Sequence, residues 1–238
     1  MADDDDREMQ IARSWRANAA AWTDAVRSGR IASRRAGTDA AIVEAVLRAA
    51  PASVLDLGCG EGWLVRELAA RGIDAFGIDA SPELVAIAQA TDGARFECAS
   101  YRELARRRPA HRFDVVVLNF ALFGENLDDP LRAARMHLRP GGMLIVQTLH
   151  PGLAGDAARA DGWQIEDFAG IADGFHEPMP WYFRTRRSWH AALSTAGFTV
   201  VREDEPRDAG GALLSLLLCA RHDDAEAAAR QTDRVADA

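Results

Sequence analysis

Apolar residues fall in two kinds of run along this chain. Phe113-Asp114-Val115-Val116-Val117-Leu118-Asn119 is almost unbroken and β-branched, as expected of a central parallel strand covered on both faces. Val54 to Leu57, Ile73 to Ile78, Arg95 to Ala99 and Met143 to Thr148 read as further strands, and Gly197 to Arg202 and Ala212 to Ala220 as two last, mutually antiparallel ones. Between them the spacing turns helical. Residues 9–28 carry Ile11, Trp15, Trp22 and Val26 on one face, and Thr38 caps a helix over 39–49 that Pro51 stops. Ser81-Pro82 opens a helix over 83–90, and Asp129-Pro130 opens another that ends near Leu138, before the turn Arg139-Pro140-Gly141-Gly142. Strands alternating with helices predict an α/β sheet.

The chemistry gathers where the first strand runs out. Asp56-Leu57-Gly58-Cys59-Gly60-Glu61-Gly62 puts glycines at alternate positions between that strand and a helix starting at Trp63. Such a turn permits positive φ, removes Cβ atoms from the path of a ligand, and presents a helix amino end. The second strand ends at Asp79, 21 positions after Gly58. An acid there can accept both hydroxyl protons of a ribose. Dinucleotide folds place their third glycine one residue later, where this chain has Trp63.

The turn resembles motif I of class I S-adenosylmethionine-dependent methyltransferases, D-x-G-x-G-x-G, carried here by Asp56, Gly58, Gly60 and Gly62. Leu138-Arg139-Pro140-Gly141-Gly142 before an apolar strand resembles their motif III. The resemblance covers roughly residues 53–148. It implies a doubly wound, mostly parallel seven-stranded Rossmann-like sheet with a terminal antiparallel hairpin, and S-adenosylmethionine as cofactor. It also implies cofactor contacts from Asp79 and Ala80, from Ser100 and Tyr101 beside the adenine, and from Asn119 and Phe120 at the end of strand four. For Tyr101, stacking on the adenine and plain core packing are both open.

Composition narrows the chemistry. The chain has 238 residues and a net charge of -8, most of it at the two ends, so the middle is close to neutral. That argues against a nucleic-acid groove. All 28 basic residues are arginine, which removes lysine Schiff-base, pyridoxal phosphate and P-loop lysine chemistry. Cys59, Cys98 and Cys219 are isolated, which suits packed hydrophobes in a reducing, cytoplasmic setting. The acidic start is unlike a secretory leader and the longest apolar run is too short to span a bilayer, so no membrane role is expected. One domain over 9–221 is expected, between a disordered acidic start at 1–8 and a disordered tail at 222–238; oligomeric state is not legible.

Two segments remain as covers for a small-molecule acceptor. One is an N-terminal helical lid within 9–37, with Trp15 and Trp22 on its inner face. The other is an insertion at 151–186, rich in aromatics, with Trp181 and Tyr182 as pocket walls. His150, directly after strand five, is the candidate general base, with a loop histidine bonding a carbonyl as the competing reading. Strands four and five end in Asn119 and Leu149-His150 rather than paired acids, so no metal site is expected. Methyl transfer to O, N or C of a small acceptor is the leading expectation. A non-catalytic S-adenosylmethionine-binding module and, further off, an NAD-dependent oxidoreductase are the alternatives.

Overall fold

The computed structural model describes residues 2–91, 93–153 and 160–222. Its main sheet has seven strands in the order β3-β2-β1-β4-β5-β9-β8. β1 (Ser53–Leu57), β2 (Asp74–Asp79), β3 (Arg95–Cys98), β4 (Phe113–Asn119) and β5 (Leu138–Leu149) are parallel. β9 (Ser215–His222) runs antiparallel to both β5 and β8 (Phe198–Asp204), the expected terminal hairpin. β6 (Gly162–Glu166) and β7 (Met179–Phe183) form a separate antiparallel pair inside the insertion.

The apolar runs are continuous because the sheet is covered on both sides and its side chains alternate. Leu55, Val116, Leu118, Leu144 and Val146 point to a core shared with α6 (Asp128–His137) and α7 (Arg186–Thr195). Val54, Val115, Val117 and Ile145 point the other way, onto α2 (Asp39–Arg48), α3 (Trp63–Ala69) and α4 (Pro82–Gln89). Burying each such side chain contributes about 1.5–3 kcal/mol. Switching any of these strands by one residue would exchange the two cores.

Three details differ from the expectation. The first helix, α1, spans Ala2–Arg27, so the acidic start is helical rather than disordered; acidic sequence is favoured at a helix amino end by the macrodipole. The turn at Arg139–Gly142 lies inside β5, because Leu138 pairs with Phe113 and Met143 with Val115, so both flanks stay on the same neighbour across a bulge. α7 forms where no element was expected. Only Trp189 and Leu193 are buried on it, too sparse a stripe to read, and Thr185 caps it by accepting the Ser188 N–H at 3.2 Å. Residues 154–159 of the insertion and 223–238 of the tail lie outside the described residues.

Candidate active site at the carboxyl edge of the sheet

The glycine turn lies across the carboxyl ends of β1 and β2. Gly58, Gly60 and Gly62 take φ of +80°, +57° and +85°. They serve different ends. A Cβ on Gly58 would lie 2.5 Å from the Ala121 Cβ and 2.8 Å from the Tyr101 hydroxyl, and one on Gly62 would lie 2.5 Å from the Phe96 ring. Both are therefore packing glycines. A Cβ on Gly60 would meet nothing nearer than the Trp22 indole nitrogen at 3.9 Å. Gly60 is the member that faces room for a ligand.

Acids flank the turn. Asp79 ties it down, its carboxylate accepting the Gly60 N–H and the Ser81 N–H, each at 2.8 Å. Ala80 lies between these contacts. Asp56 is 3% exposed, and its Oδ1 is buried with no partner among the described residues. Burial first, and the neighbouring Asp79 second, push its carboxyl up to about 7. Burial also raises Asp79, against the pull of its backbone N–H donors. Asn119, at the end of β4, has a second buried oxygen without a partner among the described residues. The next residue, Phe120, turns sharply at φ +50° and donates its N–H to the Gln147 carbonyl at 2.8 Å.

Ser100 and Tyr101 open α5 (Tyr101–Leu104). Ser100 is committed to a capping box with Glu103, its N–H and hydroxyl both 2.7 Å from the Glu103 carboxylate. Tyr101 packs its ring on the core and donates its hydroxyl to the Ala121 carbonyl at 3.1 Å, beneath Gly58. The side chain occupies the floor of the turn instead of offering a free face above it.

α1 covers this edge. Trp15 meets Trp22 edge-on at 5.1 Å and Phe123 at 5.5 Å. Asn18 lies between the two tryptophans on the same face. Its Nδ2 donates to the Glu177 carbonyl at 2.7 Å and its Oδ1 accepts the His176 N–H at 2.9 Å, fastening α1 to the insertion. Arg27 reaches the glycine turn itself: its Nε donates at 2.9 Å to Glu61, a 1%-exposed carboxylate that Arg66 also holds at 2.6 Å. Neither Asn18 nor Glu61 was singled out from sequence. The signals were a polar residue inside an aromatic stripe and a charge inside a glycine turn.

Trp181 and Tyr182 lie on β7, which the Tyr182 N–H fastens to the Phe123 carbonyl at 2.8 Å. With Phe120, Thr148, Leu149 and Arg184 they line a narrow pocket of about 20 Å³ at the ends of β4 and β5. His150 is not on its wall. The ring is 7% exposed, Nδ1 accepts the Gly152 N–H at 2.9 Å, and Nε2 therefore carries the proton and donates to Glu205 at 3.1 Å. Both nitrogens are occupied by protein.

A doubly wound sheet with an acid-flanked glycine turn at its carboxyl edge defines a Rossmann-like, nucleoside-binding class of protein. A family model for the methyltransferase domain matches residues 31–203, and the chain belongs to that family. Among curated relatives, the ubiquinone biosynthesis O-methyltransferase of Xanthomonas campestris pv. campestris (strain B100) is 36% identical over 107 residues, 42% of this chain and 44% of that one. The enzyme of the same name from Idiomarina loihiensis is 34% identical over 105 residues, 41% and 42%. The chain thus spans less than half the length of these relatives. Among solved structures, the 1,6-didemethyltoxoflavin-N1-methyltransferase of Burkholderia thailandensis, with bound 1,6-didemethyltoxoflavin and S-adenosylhomocysteine, superposes with a TM-score of 0.62 at 20% identity. It covers 93% of this chain and 91% of that chain. A methyltransferase from Mesorhizobium loti superposes at 0.56 with 24% identity, covering 71% and 90%. At these identities the likeness is one of fold. No helix among the described residues is long and apolar enough to cross a membrane.

Proposed function

We propose that this chain transfers the methyl group of S-adenosylmethionine to an oxygen or nitrogen of a small molecule bound between the ends of β4 and β5 and strand β7. The observation that carries the reading is the acid-rich edge around Gly60. Asp56, buried, lies close enough to the half-buried Asp79 to feel its charge, and one Asp56 oxygen has no partner among the described residues, an environment that favours a cationic ligand.

The residues present fit the cofactor. Gly60 leaves room for it, Asp79 keeps lone pairs for a ribose beyond the two backbone donors, and the Asp56 and Asn119 oxygens suit its ammonium end. Ala80 and Ser100 border the adenine side, and Tyr101 supports the turn from beneath. When bound, S-adenosylmethionine supplies a methyl group already activated by the sulfonium. The protein's part is then to orient and to dry the site. Trp15 and Trp22 exclude water from above, and Trp181 and Tyr182 hold the acceptor against the sheet edge. His150, spent on Glu205 and Gly152, positions the loop after β5; the acceptor arrives at its reactive ionisation state or loses its proton to solvent.

Calorimetric titration tests this reading. The chain is expected to bind S-adenosylmethionine and its demethylated product and to ignore NAD. Asp79→Ala removes charge-assisted hydrogen bonds worth roughly 1.5–3 kcal/mol each, so affinity is expected to drop at least tenfold. Equal affinity of the variant and the parent chain would overturn the assignment.

A further inference from the structure

Arg184 follows the last residue of β7, and it is 5% exposed. Its guanidinium lies 4.8 Å from the Tyr182 ring centre and 5.2 Å from that of Trp189, a cation held against two aromatics. Nη2 is spent on backbone, donating to the Gly124 carbonyl at 2.8 Å and to the Glu125 carbonyl. Nη1 is buried and has no partner among the described residues. The acids that influence it electrostatically are engaged elsewhere: Asp161 accepts the Thr185 N–H at 2.7 Å, and Glu125 accepts the Trp163 indole N–H at 3.1 Å. Asp161 and Glu125 balance part of its charge from nearby, but no carboxylate among the described residues hydrogen-bonds it, and a buried donor left idle is costly unless a ligand completes it.

The place of this residue says which ligand. Arg184 is the one charged wall of the pocket that Phe120, Phe123, Trp181 and Trp189 otherwise line with flat apolar surface. We infer that Arg184 is the anion-binding residue of the acceptor pocket, and that the acceptor is a flat, largely apolar molecule carrying a carboxylate. This rests on the reading of that pocket as the acceptor side. A guanidinium edge with free N–H groups matches the two oxygens of a carboxylate better than a single neutral carbonyl. At this width the pocket has room for a water and no more. Tyr182 and Arg184 also line an open groove of about 650 Å³ between α6 and α7, so the two side chains separate the pocket from that groove.

The test uses the full chain saturated with S-adenosylhomocysteine. 2-Naphthoate, 4-hydroxybenzoate and indole-3-acetate are each titrated against the corresponding primary amide. At least one carboxylate is expected to bind tenfold or more tighter than its amide. Arg184→Gln is expected to abolish that preference while S-adenosylhomocysteine affinity stays within threefold, and Arg184→Lys to keep part of it. If Arg184→Gln fails to fold, the lysine variant and the carboxylate-to-amide ratio of the parent chain decide. No carboxylate outbinding its amide, or a preference that survives in Arg184→Gln, overturns the proposal. The two readings fail separately. Cofactor binding without carboxylate preference removes only the anion site, whereas Arg184-dependent carboxylate binding without cofactor binding removes only the methyl-transfer reading.

Discussion

Asp79 reaches the Gly60 N–H across 19 positions of chain, whereas Asn18 reaches the Glu177 carbonyl across 159. The first contact belongs to the glycine turn, whose parts are supplied by one βαβ unit, and the second to the cover, assembled from α1 and the insertion. The family match runs over 31–203, so it takes in the turn and the insertion but begins after α1 has ended. A turn that must present backbone to a ligand constrains residue type at fixed spacing. A cover has only to place apolar surface and a few polar anchors, which many sequences do. The turn, proposed to hold the cofactor, and the cover, proposed to select the acceptor, are therefore open to different tests.

The strongest test of the turn is electrostatic. Asp56 rises from an unfolded value near 3.8 to about 7 in the fold, through burial and then Asp79. Its charged form is thus disfavoured in the folded chain. The penalty is absent below about pH 4, grows through the interval up to about 7, and is complete above it. Three units correspond to about 4 kcal/mol as an upper scale. Asp56→Asn is expected to gain stability over the parent as pH rises across that window, read from urea midpoints without ligand. S-adenosylhomocysteine, bringing a cation, is expected to narrow the gap. A difference between the two chains that stays constant with pH would break the account of the acid pair.

The next test separates the glycines. Gly58→Ala forces a Cβ onto Ala121 and the Tyr101 hydroxyl and is expected to cost about 2–4 kcal/mol of stability through overpacking and positive φ. Gly60→Ala meets only the Trp22 indole nitrogen at ordinary contact distance and is expected to cost about 1–2 kcal/mol, while weakening cofactor binding more than Gly58→Ala does in the fraction that folds. Thermal melts with and without S-adenosylhomocysteine read both effects. The reverse order would mean that Gly58, not Gly60, faces the ligand.

The sheet was legible because its rules are periodic. Val115 to Leu118 announce a strand covered on both sides, and Asp56 through Asp79 a nucleoside edge. What escaped was set by tertiary contact. Phe96 is the reason Gly62 and Gly77 have no side chain, its ring lying 2.5 Å and 2.6 Å from where their Cβ atoms would be, and no local pattern carries that. Arg184 resembled any surface arginine after an aromatic run until Tyr182 and Trp189 enclosed it. Tyr101 and His150 were placed at the right edge, but the directions of their side chains were fixed by Ala121, Gly152 and Glu205, from other segments or the next turn.

A gentler probe addresses the cover. Asn18→Ala leaves the His176 N–H and the Glu177 carbonyl without their partner and is expected to cost about 1–2 kcal/mol locally. Because the glycine turn keeps its own bonds, cofactor affinity is expected to change less than threefold while the acceptor KM rises. Hydrogen exchange is expected to quicken in α1 and around residues 175–178 and to stay unchanged in β1 and β2. Faster exchange in the sheet as well would show that cover and turn are one cooperative unit, and the division drawn above would fail.

The smallest effect is expected at His150, and it is informative because it is small. A histidine that takes a proton from an acceptor needs a free nitrogen facing that acceptor. Here Nδ1 accepts the Gly152 N–H, Nε2 donates to Glu205, and the ring lies off the pocket wall. Glutamine can supply one donor and one acceptor in similar positions. His150→Gln is therefore expected to keep kcat within about threefold and to leave the shape of its pH profile unchanged, since general base catalysis contributes ~10² or more where it operates. A hundredfold loss at neutral pH, with the loss growing toward acid, would mean that the loop turns His150 toward the acceptor when both ligands are bound. The boundary between positioning and proton transfer at this edge would then lie at β5 rather than among the aromatic walls.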